Sequence, residues 1–312
     1  MNYSPELVGW KAYGLAQFSK LGLFNRPFTI LESWQTEERN VEMLKNAGFI
    51  NQQEVAIRFS KNNEMNLPFY LWKFDLKEIA RIISNERADL IPFVHGLVKT
   101  VFSASLYFDG KMFFIEVWPG IWGSKKQMFN ESPDIIKIDT SIHIAKYLKK
   151  RHIENVKWET IESDPFDFSF LEALAKKLFL LKDKLLYLQE LQDPLLCDIN
   201  AESLEDINFM GIQKTVHMDT EKLDIINQDF YVVKTFEDLE KYDGKKELFF
   251  DIPMSRNEKQ ENLEYIIDIL RCLPRVYVKS LTMHLAVVLR EFDVNIQKGS
   301  LNEDYDIQTF DL

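Results

Sequence analysis

The sequence predicts a protein of mixed α+β and α/β class, arranged in two parts. Three observations carry this. Closely spaced strand candidates with a hairpin fill residues 88–141, a leucine-periodic helix covers 168–191, and strands alternate with helices from about residue 226 onward. The first pattern is that of an antiparallel sheet, the last that of a compact α/β unit.

Along the chain, "PELVGWKAYGLAQFSKLGL" places Leu7, Val8, Trp10, Tyr13, Leu15, Phe18 and Leu21 as a loop running into an amphipathic helix. "FTILES" and "VAIRFS" are β-rich runs. "DLKEIARIIS" reads as a helix with Asp75 at its N-cap. Four strand candidates follow: "ADLIPFVHG", "TVFSASLYFDG", "KMFFIEVWPG" and "DIIKIDTS". Asp109-Gly110 supplies the turn between the second and third. Alternation sets Val101, Ser103, Ser105 and Tyr107 on one face and Thr100, Phe102, Ala104, Leu106 and Phe108 on the other, so one side of the sheet is expected to be better buried.

In the helix over 168–191, Leu171, Leu174, Leu178, Leu181, Leu185 and Leu188 follow the helical period, and Asp193-Pro194 stops it. The stretch 193–205 is expected to be a joint, giving parts of 1–192 and 205–312. The second part begins with the strand "INQDFYVVKT", then a short helix in "TFEDLEKYDGK", a buried strand "KELFFDIP" and a helix "EKQENLEYIIDILRCL". The strand "RVYVKS" runs into a last helix, "LTMHLAVVLREF". The final stretch, "GSLNEDYDIQTFDL", is acidic and is expected to be loosely attached.

Composition narrows the functional classes. The 312 residues exceed one typical core, so two domains are expected. Only 11 glycines are present, with no GxGxxG and no GxxxxGK[ST], which excludes the Rossmann and Walker phosphate cradles. A formal net charge of −11 disfavours nucleic acid as a partner. Two cysteines, Cys197 and Cys272, make no disulfide framework, and no His/Cys spacing suggests zinc. No apolar run reaches membrane-spanning length and the N-terminus lacks a signal-like apolar stretch, so a cytoplasmic protein is expected.

Several motifs together resemble a known family. "LVGWKAYGLAQFSKLGLFNRPFTI" is similar to the V-G-G-K-x-x-x-L opening of the ATP-binding domain of phosphoenolpyruvate synthase and pyruvate phosphate dikinase, with Gly9, Lys11, Leu15, Gly22 and Pro27 in matching places. "VAIRFS" resembles that family's V-A-V-R-S-S, keeping Arg58 and Ser60, and "ADLIPFVHGLVKTVFSASLYFDGKMFFIEVWPGIWG" resembles the paired strands of its second lobe. "KSLTMHLAVVLREFDVN" resembles the phosphohistidine motif G-G-x-[TL]-S-H-x-A-I-x-x-R-E-x-G-I-P, keeping Thr282, His284, Ala286, Arg290 and Glu291. The motifs occur in the family's order over most of the chain.

The resemblance implies an ATP-grasp-like N-terminal part followed by a small swivelling β/α phosphohistidine-like domain. It implies an ATP-dependent phosphotransferase using ATP and Mg²⁺. Lys11 would meet the phosphates as a point charge and Arg58 as a planar fork. Glu116, in "FFIEVWPG", would be a metal ligand, and His284 the nucleophile that becomes phosphorylated.

The chain also departs from the pattern. Trp122 and Gly123 stand where Gly-Glu is expected, and the glutamine expected near "DLIPF" is absent. Lys279 and Ser280 replace the two glycines before the histidine, Met283 replaces the serine, and Asp293 and Asn295 replace a glycine and a proline. Too little chain separates the two parts for an acceptor domain, so the acceptor would be a partner protein or a small molecule. The other reading is a catalytically degenerate relative that acts as a nucleotide-binding or protein-interaction module. Arg290 and Glu291 are read as structural, and His95, His143, His152 and His217 have no motif support; His95 follows the strand "LIPFV" and could approach the nucleotide, but is read first as core or surface.

Overall fold

The computed structural model of the chain describes residues 3–31, 36–50, 53–60, 67, 69–87, 89–120, 133–150, 166–213, 226–227, 229–252, 260–278, 289, 292–300 and 305–312. Within these, the chain is of mixed α/β class. It opens with α1 (Pro5–Lys20), β1 (Phe28–Ile30), α2 (Glu37–Asn46), β2 (Glu54–Ser60), β3 (Phe69–Lys73), α3 (Leu76–Ser84) and β4 (Ile91–Gly96). The antiparallel strands β5 (Phe102–Phe108), β6 (Met112–Pro119), β7 (Asp134–Asp139) and β8 (Ile144–Lys150) follow, then α4 (Phe168–Leu180) and α5 (Lys182–Gln189). Next come β9 (Leu195–Ala201), β10 (Ile207–Gln213), β11 (Ile226–Asn227), β12 (Tyr231–Val233), α6 (Phe236–Glu240) and β13 (Leu248–Phe250). The chain closes with α7 (Gln260–Arg271), β14 (Val276–Val278), β15 (Ile296–Ser300) and β16 (Tyr305–Asp311). Two compact units emerge: Met1–Val101 with Cys197–Gln213, and Phe102–Leu196 with Lys214–Leu312.

In the first unit a four-stranded sheet runs in the order β1-β4-β2-β3. Residues alternate across its faces. Val55, Ile57, Phe59 and Val94 point into a core with Leu44, Phe74, Ile79, Ile82 and Leu90, so α2 and α3 cover that side. Asp75 caps α3 as predicted, accepting from the amides of Lys77 and Glu78. The other face carries Ala56, Arg58, Phe93 and His95, with Ala56 opposite His95 and Arg58 opposite Phe93. On this side the Phe24 ring stands perpendicular to the His95 ring, and the backbone amide of Phe24 donates to the carbonyl of Phe18 in α1.

α1 also packs on β10. A Cβ added at Gly14 would lie 2.4 Å from the backbone nitrogen of Ile212, so the two backbones approach as only glycine permits. Phe18 and Phe209 pack with ring centroids 5.4 Å apart. Asp206 pins the loop before β1: its carboxylate accepts from the side-chain amides of Asn25 and Asn208 and pairs with Arg26. Burial alone would raise the pKa of Asp206, but these donors and the Arg26 charge hold it below the ordinary carboxylate value.

In the second unit the strands run β5-β6-β7-β8-β16, each pair antiparallel. Phe102 packs against Phe166 and Phe170, and Leu171, Leu174 and Leu178 of α4 are buried. Ser103, Ser105 and Tyr107 on the opposite face are fully buried too, against the expectation of one better-buried side. Serine reads as a solvent-facing residue in an alternating pattern, yet the Ser103 hydroxyl satisfies itself by donating to the carbonyl of Gly120. The same unit holds a five-stranded parallel sheet, β11-β15-β14-β13-β12, the outcome of the strand–helix alternation. α6 opens with a capping box between Thr235 and Asp238.

Two expectations change and a third takes form. The helix over 168–191 breaks at Leu181, whose backbone leaves the helical region between α4 and α5. The stretch 193–205, expected to be a joint, holds the buried strand β9, with a boundary between the two units after Leu196. The C-terminal segment, expected to hang loosely, adds β16 beside β8, with Phe310 packed on Tyr147 at 5.0 Å.

Candidate functional site

Lys11 owes its position to Gly9. Within α1 the backbone of Gly9 sits at φ 75° and ψ 152°, a conformation confined essentially to glycine, and the helix resumes over residues 10–20. Lys11 therefore stands, exposed, in the first turn of a helical segment. A cation there opposes the helix dipole, whereas an anion would be favoured by the dipole, the free amides and the lysine together. Gly211 of β10 lies alongside; a Cβ there would be 3.9 Å from the Lys11 Cα.

Arg58 is half-buried on β2, on the sheet face opposite the α2–α3 core. Its neighbour His95 is the surprise of this face. His95 is 2 % exposed, with its ring stacked on Phe93 and perpendicular to the ring of Phe24. Nδ1 lies 3.0 Å from the carbonyl oxygen of Gly96, so Nδ1 donates and carries the proton. Nε2 is then a lone-pair acceptor, and it is buried with no hydrogen-bond partner among the described residues. Burial first, and the nearby Arg58 charge second, push the imidazole down to about 3, so it is neutral at physiological pH. No periodicity or motif signals that orphaned acceptor, because it depends on which strands flank β4.

Glu116 lies in the second unit, fully buried on β6, directly opposite Ser105 on β5 and Ile135 on β7. Among the described residues no group of three His, Cys, Asp or Glu side chains is placed to hold a metal. His284, with Lys279, Ser280, Met283, Arg290 and Glu291, lies outside the described residues, as do Trp122, Gly123, His152 and His217. His143 is exposed at a turn, beside Phe179. Lys11 and Arg58 thus share one compact unit, while Glu116 belongs to the other.

No family model matches the chain, and no curated protein does. Among solved structures it is similar to the ATP-grasp ligase PsnB complexed with a minimal precursor, at 13% identity over 67% of this chain and 53% of that one, TM-score 0.31. It is similar to the N5-carboxyaminoimidazole ribonucleotide synthetase purK in its ADP complex, at 10% identity over 65% and 43%, TM-score 0.35. A third likeness is to D-alanine–D-alanine ligase from Bacillus anthracis complexed with ATP, at 13% identity over 65% and 53%, TM-score 0.33. The chain spans about half the length of these solved structures.

Proposed function

We propose that the chain binds ATP as its magnesium complex through an ATP-grasp-like part, residues 1–192, with Lys11 and Arg58 as phosphate ligands. The observation that carries the reading is the Gly9 kink: it restarts a helix at residue 10 and puts Lys11 in the first turn, where an anion is favoured. Arg58 supports it as a fork-shaped cation on an adjoining strand of the same unit. Bound Mg²⁺ would offset phosphate charge; positioning and neutralisation by the protein are what phosphoryl transfer requires.

The finer reading is transfer through the phosphohistidine-like part, residues 205–312. A neutral nitrogen of His284 would attack phosphorus, the P–O bond to the nucleotide would break, and the phosphoryl group would pass from the imidazole to an acceptor. It rests on the motif around His284. The lysine, serine and methionine at 279, 280 and 283 favour a second reading, binding without turnover, because they add bulk where the motif has small residues.

Calorimetry with ATP and Mg²⁺ tests the binding. Lys11→Gln and Arg58→Gln should each weaken it about tenfold or more, the scale of a lost charged hydrogen bond; unchanged affinity in both would reject it. Labelled ATP then separates the two finer readings. An acid-labile, base-stable label on the chain, lost in His284→Ala, supports transfer, and its absence alongside intact binding supports the non-catalytic module.

A further inference from the structure

Among the described residues, β3 is an outer strand of the four-stranded sheet in the first unit, bonded to β2 on one side only. The ladder shows which of its groups face outward. The amide of Phe74 donates to the carbonyl of Gln53, one step beyond the Glu54–Lys73 pair. Backbone groups of successive residues point to opposite sides of a strand. Tyr70 and Trp72 therefore bond to β2, and the amides and carbonyls of Phe69, Leu71 and Lys73 point outward. β2 keeps the same alternation: the carbonyl of Glu54 is turned away from β3 and accepts from the amide of Leu97.

An unpaired strand edge is usually blunted by charge, by proline or by short length. Of the other outer strands, β1, β11 and β12 have three residues or fewer, and β16 carries Asp306 and Asp311. β3 has five residues, no proline and a single charge, Lys73, which stands opposite Glu54 within its own sheet. It also displays large apolar side chains: Leu71 is 54 % exposed and Trp72 44 %. Leu71 lies on the sheet face that carries Arg58, and Trp72 on the other.

We propose that β3 docks a second copy of this chain, the two strands pairing antiparallel about a two-fold axis at Leu71 and joining two sheets into one. Centred there, the whole strand pairs: Leu71 meets its counterpart, Tyr70 meets Trp72, and Phe69 meets Lys73 of the second copy. The axis falls on outward-pointing groups, so the two Leu71 residues exchange both backbone bonds. Charge favours this pairing. A chain of net charge −11 repels its own copy at long range, yet β3 brings no acid to the contact, and the register keeps the two Lys73 residues at opposite ends. Five residues make an edge about 17 Å long. That falls short of the ~800 Å² each side of a standard interface buries, so the dimer is weak and reversible. The contact uses neither Lys11 nor Arg58 and stands apart from the nucleotide reading given above.

Sedimentation of the full chain from micromolar to millimolar concentration is expected to show a monomer–dimer equilibrium. Leu71→Lys alters an exposed position and sets two ammonium groups face to face at the axis. It should weaken association about tenfold or more, with the melting temperature of the dilute chain unchanged. Lys73→Gln should associate as well as the wild type. The register has its own probe. In a Cys272→Ser background, which removes the exposed native thiol, Leu71→Cys should join to itself through a short thiol cross-linker. Ile142→Cys, also at an exposed position but in the second unit, should not. Equal association in Leu71→Lys and the wild type overturns the proposal, as does cross-linking as fast at Ile142→Cys as at Leu71→Cys. A chain that stays monomeric throughout also overturns it, and would leave the edge to a strand of another protein.

Discussion

Arg58 on β2 and His95 on β4 project from the same face of one sheet, and the imidazole beside that guanidinium stays neutral. Burial is the larger cause and the Arg58 charge the lesser, together lowering His95 from 6.5 to about 3. The unfolded chain takes up a proton on this residue as pH falls through its ordinary value, while the folded chain refuses it down to about 3. The stabilising contribution is therefore complete above pH 6.5 and is lost progressively between that pH and about 3. By pH 5 roughly 2 kcal/mol should be gone. Urea unfolding at pH 7 and pH 5 measures this. His95→Gln should remove about one proton's worth of the slope; an unchanged slope in that variant would place the acid sensitivity elsewhere.

Gly9 and Gly14 fail for different reasons when replaced by alanine. At Gly9 the penalty is conformational: φ 75° with ψ 152° costs a Cβ-bearing residue about 1–3 kcal/mol. At Gly14 it is steric, since the added carbon would sit 2.4 Å from a backbone atom of Ile212, which cannot rotate away. Overpacking of that kind costs about 1–3 kcal/mol or more. Both variants should unfold at lower denaturant. Only Gly9→Ala should also weaken ATP at pH 7 when folded protein is assayed, because it alone moves the first turn that carries Lys11. Equal ATP affinity in Gly9→Ala and wild type would detach Lys11 from the proposed phosphate site.

Local chemistry was the readable part of this chain. Asp75 and the Asp109-Gly110 turn are set by neighbours within a few residues, and the structure places a capped helix and a hairpin there. What escaped the sequence depends on distant partners. Ser103 and Ser105 alternate like a solvated face, yet both are fully buried. The leucine period runs on through Leu181, yet periodicity does not record a backbone break. Tyr305–Asp311 is polar enough to pass for a tail, and only β8, more than a hundred and fifty residues earlier, turns it into a strand. The candidate site divides the same way. Lys11, Arg58 and Glu116 come from short motifs, whereas the unpartnered Nε2 of His95 and the open edge of β3 follow from strand order and register. A two-residue period says which residues share a face, not which strand lies alongside.

The place of β16 makes the last residues structural. Along Tyr305–Asp311 it pairs residue for residue with β8, and Phe310 contacts Tyr147, a fully buried ring whose hydroxyl burial holds well above its ordinary pKa. Deleting residues 305–312 would uncover the hydrogen-bonding edge of β8 and open the packing around that ring. The truncated chain should lose at least about 2 kcal/mol, the scale of a large single-site loss, and should associate at lower concentration through the exposed strand edge. Phe310→Ala, which keeps the backbone pairing, should lose about 1 kcal/mol, the worth of an aromatic pair, without the association. Guanidinium unfolding and sedimentation of the two variants separate the effects: a truncation as stable and as monodisperse as the full chain would mean that β16 contributes nothing to the sheet.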